Sequence, residues 1–82
     1  MRRLGRVLHL SKDHRLILRL EPGVEAPMLG ETVFNSELNP VGVVKDLFGP
    51  VQSPYAAVKL KKGDPSTYIG KTLYAVKPGT TR

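Results

Sequence analysis

The chain has 82 residues, with 13 Lys and Arg against 7 Asp and Glu, a formal net charge of +6. This length suits one domain with a marginal core, and the lack of cysteine excludes disulfides and cysteine-based zinc sites. No apolar run approaches the ~20 residues of a membrane-spanning helix, and no apolar segment follows the N-terminal arginines as in a signal peptide, so we expect a cytoplasmic protein without membrane contact.

Nearly every apolar run has period two, the spacing of a half-buried strand. In chain order, the predicted strands cover about residues 4–10, 15–20, 31–35, 41–48, 55–61 and 72–77. Glycine, proline, asparagine and aspartate occupy the connections. Six short strands with such turns predict an all-β fold, a small antiparallel barrel or sandwich, and closure into a barrel would remove exposed strand edges. We expect one domain over residues 1–77 and a flexible tail over 78–82.

The alternation also predicts which side chains share a face. In the first strand, Leu4, Leu8 and Leu10 lie together, opposite Val7 and His9. In the later strands the rule groups Leu16 with Leu18 and Leu20, Ala56 with Val58 and Leu60, and Leu73 with Ala75. In the fourth strand it places Val41, Val43, Lys45 and Leu47 opposite Gly42, Val44, Asp46 and Phe48.

The chain offers few residues for catalysis. Its two histidines, His9 and His14, are expected at the surface, and no third metal ligand stands at useful spacing. The serines fall in turn contexts and the acidic residues are scattered, without a nucleophile elbow or a phosphate-binding glycine loop. We therefore predict neither an enzyme nor a cofactor or metal site, unless a partner supplies the catalytic groups.

The most informative segment joins the fourth and fifth predicted strands, residues 48–55, which we call the corner. Gly49-Pro50 ends the fourth strand, because proline has no N–H for a sheet ladder, and Pro54 stands just before the fifth. The corner carries the large apolar side chains of Phe48, Val51 and Tyr55. Apolar residues at strand ends also cap barrel cores, so the division of Phe48 and Val51 between core and surface stays open. A stiff apolar corner favours a docking surface for a protein.

Two basic clusters are candidates for weak contact with RNA phosphates. They are Arg2, Arg3 and Arg6 at the start of the chain, and Lys59, Lys61 and Lys62 at the end of the fifth strand. The surplus of positive charge favours polyanions. However, no aromatic residue interleaves with these clusters in the sequence, as it does in proteins that stack single-stranded bases.

The corner and its neighbours resemble a known family, the Gar family of small β-barrel subunits in H/ACA guide-RNA particles. The resemblance rests on Gly42-x-Val44-x-Asp46-Leu47-Phe48-Gly49-Pro50-Val51-x-x-Pro54-Tyr55, supported by Leu4-Gly5-x-Val7-Leu8-His9, Leu29-Gly30-x-x-Val33 and Gly70-Lys71-x-Leu73-Tyr74. It covers about residues 3–76. The glycine/arginine-rich tails of eukaryotic members are not in this sequence, which is similar to the bare core of archaeal members.

The resemblance implies a six-stranded barrel similar to those of translation factors, acting as a non-catalytic subunit in rRNA pseudouridylation and ribosome biogenesis. It implies docking on the catalytic domain of a dyskerin-type pseudouridine synthase. The particle would also hold a zinc-ribbon or peptide-like subunit, a kink-turn-binding protein and the guide RNA, which this chain would touch weakly or indirectly. The barrel would steer a mobile synthase loop and so promote substrate loading and release. Carried over by position, the docking residues are Phe48, Gly49, Pro50, Val51, Pro54 and Tyr55.

Two other functions remain open from the sequence. One is an autonomous RNA-binding barrel that uses the two basic clusters. The other is a translation-factor-like barrel module that has no affinity for the synthase.

Overall fold

The computed structural model describes residues 2–23, 26–61 and 63–75. The strands are β1 (Arg2–Leu10), β2 (Leu16–Leu20), β3 (Thr32–Phe34), β4 (Pro40–Phe48), β5 (Tyr55–Leu60) and β6 (Thr72–Ala75). A four-residue 3-10 helix, Pro65–Tyr68, precedes β6. Within these ranges no helix is long and apolar enough to cross a membrane.

The six strands form a closed antiparallel barrel in the order β1-β2-β5-β4-β3-β6. The β3–β6 pair, Val33 with Ala75 and Phe34 with Tyr74, closes it. The predicted all-β, six-stranded barrel is therefore confirmed. The domain boundary stays a prediction, because the proposed tail over residues 78–82 lies outside the described ranges.

The core is aliphatic and receives side chains from all six strands. Its members are Leu4, Val7, Leu16, Leu18, Leu20, Val33, Val41, Val44, Ala56, Val58, Leu73 and Ala75. The predicted faces of β2, β5 and β6 are confirmed, with Leu60 packed against the core from its edge. Small and medium aliphatic side chains fill the narrow interior of such a barrel.

The predicted face of β1 is wrong. Val7 lies in the core and is 1% exposed, whereas Leu8 lies outside and is 40% exposed. The register to β2 shifts between Val7 and His9, so Leu8 is the extra residue of a β-bulge. A bulge breaks the alternation of faces, and period two carries no sign of where it falls.

β4 departs from strict alternation for the same reason. Val41 and Val44 both lie in the core, and Leu47 packs against it. The register to β3 shifts between Val33 and Phe34, and the register to β5 shifts between Val44 and Asp46. These two irregularities bring Val41 and Val44, which were predicted on opposite faces, to the same side of the strand.

Two glycines allow neighbouring strands to approach closely. A Cβ at Gly5 would overlap the carbonyl oxygen of Arg19, and a Cβ at Gly42 would overlap that of Lys59. In both cases the obstacle is backbone of the paired strand, which cannot move aside without disturbing the ladder. The barrel therefore requires glycine at both positions.

We predict that Gly42→Ala destabilises the fold by at least the roughly 1–3 kcal/mol that overpacking usually costs. Each 1 kcal/mol would lower the Tm of a domain this small by about 4–8 °C, so thermal denaturation measures the effect. Gly70→Ala is the control: it carries the backbone strain of φ 85° but has no atom within 4 Å of the new Cβ. Because Gly42 does not have a positive φ, a Gly42→Ala variant with the Tm of wild type would show that the close approach is unimportant.

Asp64 starts the 3-10 helix. Its carboxylate accepts hydrogen bonds from the backbone N–H of Ser66 (3.0 Å) and from the Ser66 hydroxyl (2.8 Å). Both hydrogen bonds lower the pKa of Asp64 from its ordinary value of 3.8, and the bond from the backbone N–H has the larger effect. A lowered folded-state pKa stabilises the native cap above pH 3.8, and this contribution is lost as pH falls through the folded-state value.

We expect the Ser66 amide resonance to titrate in NMR spectra with a midpoint below 3.8, because its partner is the Asp64 carboxylate. In Asp64→Asn that transition should vanish. A midpoint at or above 3.8 would contradict the capping geometry.

Candidate functional site

The corner leaves the barrel at the end of β4 and returns as β5. Within it, the Ser53 N–H donates to the Pro50 carbonyl (3.1 Å), and the Leu20 N–H of β2 donates to the Pro54 carbonyl (3.1 Å). The first bond closes a turn over residues 50–53, and the second ties the corner to a neighbouring strand. Together with the fixed φ of the two prolines, these bonds give the corner a defined shape.

Phe48 and Tyr55 form a stacked aromatic pair across the mouth of the corner. They are register partners in the β4–β5 ladder, and their ring centroids lie 5.8 Å apart with planes 14° from parallel. The Tyr55 ring also covers Gly49: a Cβ there would stand 2.8 Å from Tyr55 Cδ1, and the Gly49 φ is +96°. Glycine at position 49 therefore allows both the backbone bend and the position of the Tyr55 ring.

The corner is apolar and faces outward. Val51 is 96% exposed and Phe48 is 44% exposed, and neither belongs to the core. Pro50 is exposed, whereas Pro54 and Tyr55 are half-buried. The question that the sequence left open is thereby answered: both Phe48 and Val51 lie on the surface.

The two predicted basic clusters do not come together, because β2 lies between β1 and β5. Arg2 forms an ion pair with Glu31 (3.5 Å) and Arg3 with Glu21 (2.9 Å). Arg6 is exposed, as are Lys59 and Lys61, whereas Lys62 lies outside the described residues. Of the N-terminal arginines, Arg6 alone is therefore free of an acidic side chain among the described residues.

The structure adds a residue that sequence reasoning missed, Arg19. It pairs in register with Arg6 across β1 and β2, and with Tyr55 across β2 and β5. Since Tyr55 pairs with Phe48, one row of neighbours crosses four strands on the outside of the barrel, Arg6–Arg19–Tyr55–Phe48, which we call the outer row. No sequence signal identifies the outer row, because the row depends on the register between strands that are distant in the chain.

A shallow groove of about 330 Å³ borders the outer row. Arg6 and Arg19 line it together with Leu8, and Ser53 of the corner lies at its edge. The bulge that turns Leu8 outward thus contributes to the groove. Basic and aliphatic groups meet here beside the exposed aromatic pair.

The histidines are not part of this arrangement. His9 and His14 are both exposed, as expected. Among residues 2–23, 26–61 and 63–75, no three histidine or acidic side chains come together in a cluster that could hold a metal ion.

The chain is similar to a known protein family and to an archaeal protein. The family model described as "Gar1/Naf1 RNA binding region" matches residues 1–81. A protein of Methanothermobacter thermautotrophicus (strain Delta H), described as uncharacterized, is 35% identical over 78 residues, which is 90% of this chain and 82% of that protein. The family match covers all six strands and the corner, and it indicates a protein associated with RNA.

We predict that Gly49→Ala displaces the Tyr55 ring and disrupts its stack on Phe48. The expected readout is a change in the ring-current shifts of Phe48 and Tyr55 in NMR spectra, with a loss of roughly 1–2 kcal/mol in stability from the left-handed backbone. Gly70→Ala should cost a similar amount for the same backbone reason, yet leave the aromatic resonances unchanged. Unaltered aromatic shifts in Gly49→Ala would refute the role of this glycine in positioning the ring.

Proposed function

This chain belongs to the Gar1/Naf1 RNA-binding region family, and from that premise we propose that it is a non-catalytic accessory subunit of an H/ACA ribonucleoprotein. In this role it docks through the corner on the catalytic domain of a dyskerin-type pseudouridine synthase. The synthase carries out the isomerisation of uridine in rRNA. The barrel promotes loading and release of the substrate RNA by steering a mobile loop of the enzyme.

The observation that carries the proposal is the exposure of the corner. Val51 projects almost completely into solvent and Phe48 is nearly half exposed, and Val51 is the most exposed of the large hydrophobic side chains among the described residues. Full burial of a valine or phenylalanine side chain contributes about 1.5–3 kcal/mol. Covering this surface with a partner would therefore supply much of the energy that a hot spot needs.

The defined shape of the corner also supports a docking function. The corner is held by its internal turn and by the bond from Leu20 to Pro54, so its backbone is ordered before a partner arrives. Ordering a flexible loop on binding costs about 0.5–1.5 kcal/mol for each immobilised side chain. A preformed corner avoids much of this cost.

A small barrel with an exposed apolar corner of defined shape is suited to positioning another protein. The Asp64 carboxyl carries a pKa shift, but it lies in the 3-10 helix cap and serves local structure. In this role the synthase carries out the chemistry of the particle, and this chain contributes binding.

An autonomous RNA-binding barrel is the second candidate, and the exposed basic side chains of Arg6, Lys59 and Lys61 favour it. Tight binding of RNA by the isolated protein, with a steep dependence on salt, would support that function. Weak binding would agree with an RNA contact made only within the particle. A detached translation-factor-like module would show no affinity for the synthase.

We predict that the purified synthase co-elutes with this protein in gel filtration, and that Val51→Asp weakens the complex at least about tenfold. A charge placed in the centre of an apolar contact leaves a desolvated carboxylate without a partner. Because Val51 is 96% exposed, the isolated variant should keep its Tm. Pro50→Asp should also weaken the complex, and Tyr55→Ala should do so through loss of the aromatic pair.

Leu38→Asp is the matched control. Leu38 is 51% exposed and precedes β4 at the end opposite the corner, and its positive φ of 65° is one that aspartate tolerates. It should bind as wild type. If Val51→Asp and Pro50→Asp also bind as wild type, the corner is not the docking surface.

A further inference from the structure

We infer that the partner surface that covers the corner carries carboxylates, which pair with Arg19 and Arg6 of the outer row. This inference rests on the proposed docking function and specifies the chemistry of its partner. It assigns roles to two side chains that lie next to the corner in space, although they are distant from it in the chain.

First, the outer row places two arginines next to the corner in space. Arg19 stands in register beside Tyr55, and Arg6 stands in register beside Arg19. Neighbouring strands are about 4.8 Å apart, so Arg6 lies only about 10 Å from the aromatic pair. A standard protein interface covers about 800 Å² on each partner, a patch on the order of 30 Å across. A partner centred on the corner therefore covers both arginines.

The second step is the charge of these arginines. Two like charges directly opposite each other in an antiparallel pair are unfavourable, and among the described residues neither Arg6 nor Arg19 forms an ion pair. Arg2 and Arg3, on the same strand as Arg6, each have an acidic partner. Glu21 borders the same groove, but its carboxylate is already held by Arg3 at 2.9 Å. The outer row thus carries positive charge that the described residues do not balance.

The third step is desolvation. When a partner covers a guanidinium, the group loses its bound water. The free-energy cost of this desolvation is large unless an anion takes the place of the water. A carboxylate does so with two parallel hydrogen bonds to the planar fork of arginine. Since Arg19 adjoins Tyr55, a partner that buries the aromatic pair must provide such a group or bind poorly.

The surroundings of the arginines favour a protein over RNA as the source of the anion. Phe48 and Tyr55 each use one ring face on the other, and Tyr55 also covers Gly49, so the pair is a poor platform for stacking successive bases. Val51 in the corner and Leu8 in the groove beside Arg6 expose aliphatic surface. Aliphatic and aromatic groups interspersed with arginine are the composition of protein interfaces.

The test measures the Kd between this protein and a purified dyskerin-type pseudouridine synthase. We expect Arg19→Glu to weaken binding by at least about tenfold, as for buried charge pairs at interfaces, and Arg6→Glu to weaken it less, since Arg6 lies farther from the corner. Arg19→Lys keeps the positive charge but loses the planar guanidinium. Its affinity for the synthase should therefore lie between those of wild type and Arg19→Glu. Lys12→Glu, in the exposed β1–β2 turn, makes the same change in net charge and should have no effect.

Salt dependence provides a second measurement. The wild-type Kd should rise with NaCl concentration, and Arg6→Gln/Arg19→Gln should show a shallower dependence. In parallel, the same variants are assayed for binding of a single-stranded oligoribonucleotide by the isolated barrel.

The outcomes are distinguishable. If wild type does not bind the synthase, the proposed function fails and the inference fails with it. If Val51→Asp weakens binding while Arg19→Glu and Arg6→Glu do not, the docking site stands and the inference is overturned. If the arginine variants lose oligoribonucleotide affinity but keep the synthase affinity, the outer row is a phosphate site, and the inference is again overturned.

Discussion

Closure of a six-stranded barrel around a very small interior is the constraint on which the rest of the structure depends. Among the described residues, twelve aliphatic side chains form the interior, and neighbouring strands approach each other so closely that Gly5 and Gly42 admit no Cβ. Closure pairs every strand on both sides and leaves no edge to extend. Phe48, at the end of β4, and Val51, in the corner, lie outside this interior.

The same closure explains how a small chain can present a rigid binding surface. The corner is short, and it connects adjacent antiparallel strands whose register the barrel already determines. Pro54 accepts a hydrogen bond from β2, so the loop is tied to the wall beside it. The energy that orders the corner comes from the barrel, and the apolar surface of the corner is left for a partner.

Sequence patterning predicted much of this molecule, for reasons that particular residues make clear. Leu16, Leu18 and Leu20 share one face, as predicted, because β2 has no bulge to interrupt the alternation, and this face lies in the core. Leu8 was predicted on the face of Leu4 but lies outside, and Val41 and Val44 were predicted on opposite faces but both lie in the core. The reason is that β1 and β4 contain register shifts. A bulge is a relation between two strands, and it leaves no trace in the periodicity of either strand alone.

One part of the candidate site could be predicted from the sequence, and the other part could not. The corner is contiguous in the chain, so its glycine, prolines and aromatic residues could be recognised together, and the family resemblance rests on that contiguity. The outer row joins residues 6, 19, 48 and 55 through three strand pairs, and it exists only because those registers hold. The amino-acid sequence alone determines the local chemistry. This includes the turn residues, the alternation of apolar and polar side chains, and the surplus of positive charge. The placement of Arg19 beside Tyr55, and the pairing of Arg2 and Arg3 with distant glutamates, depend on barrel closure, which brings together side chains that have no relation in sequence.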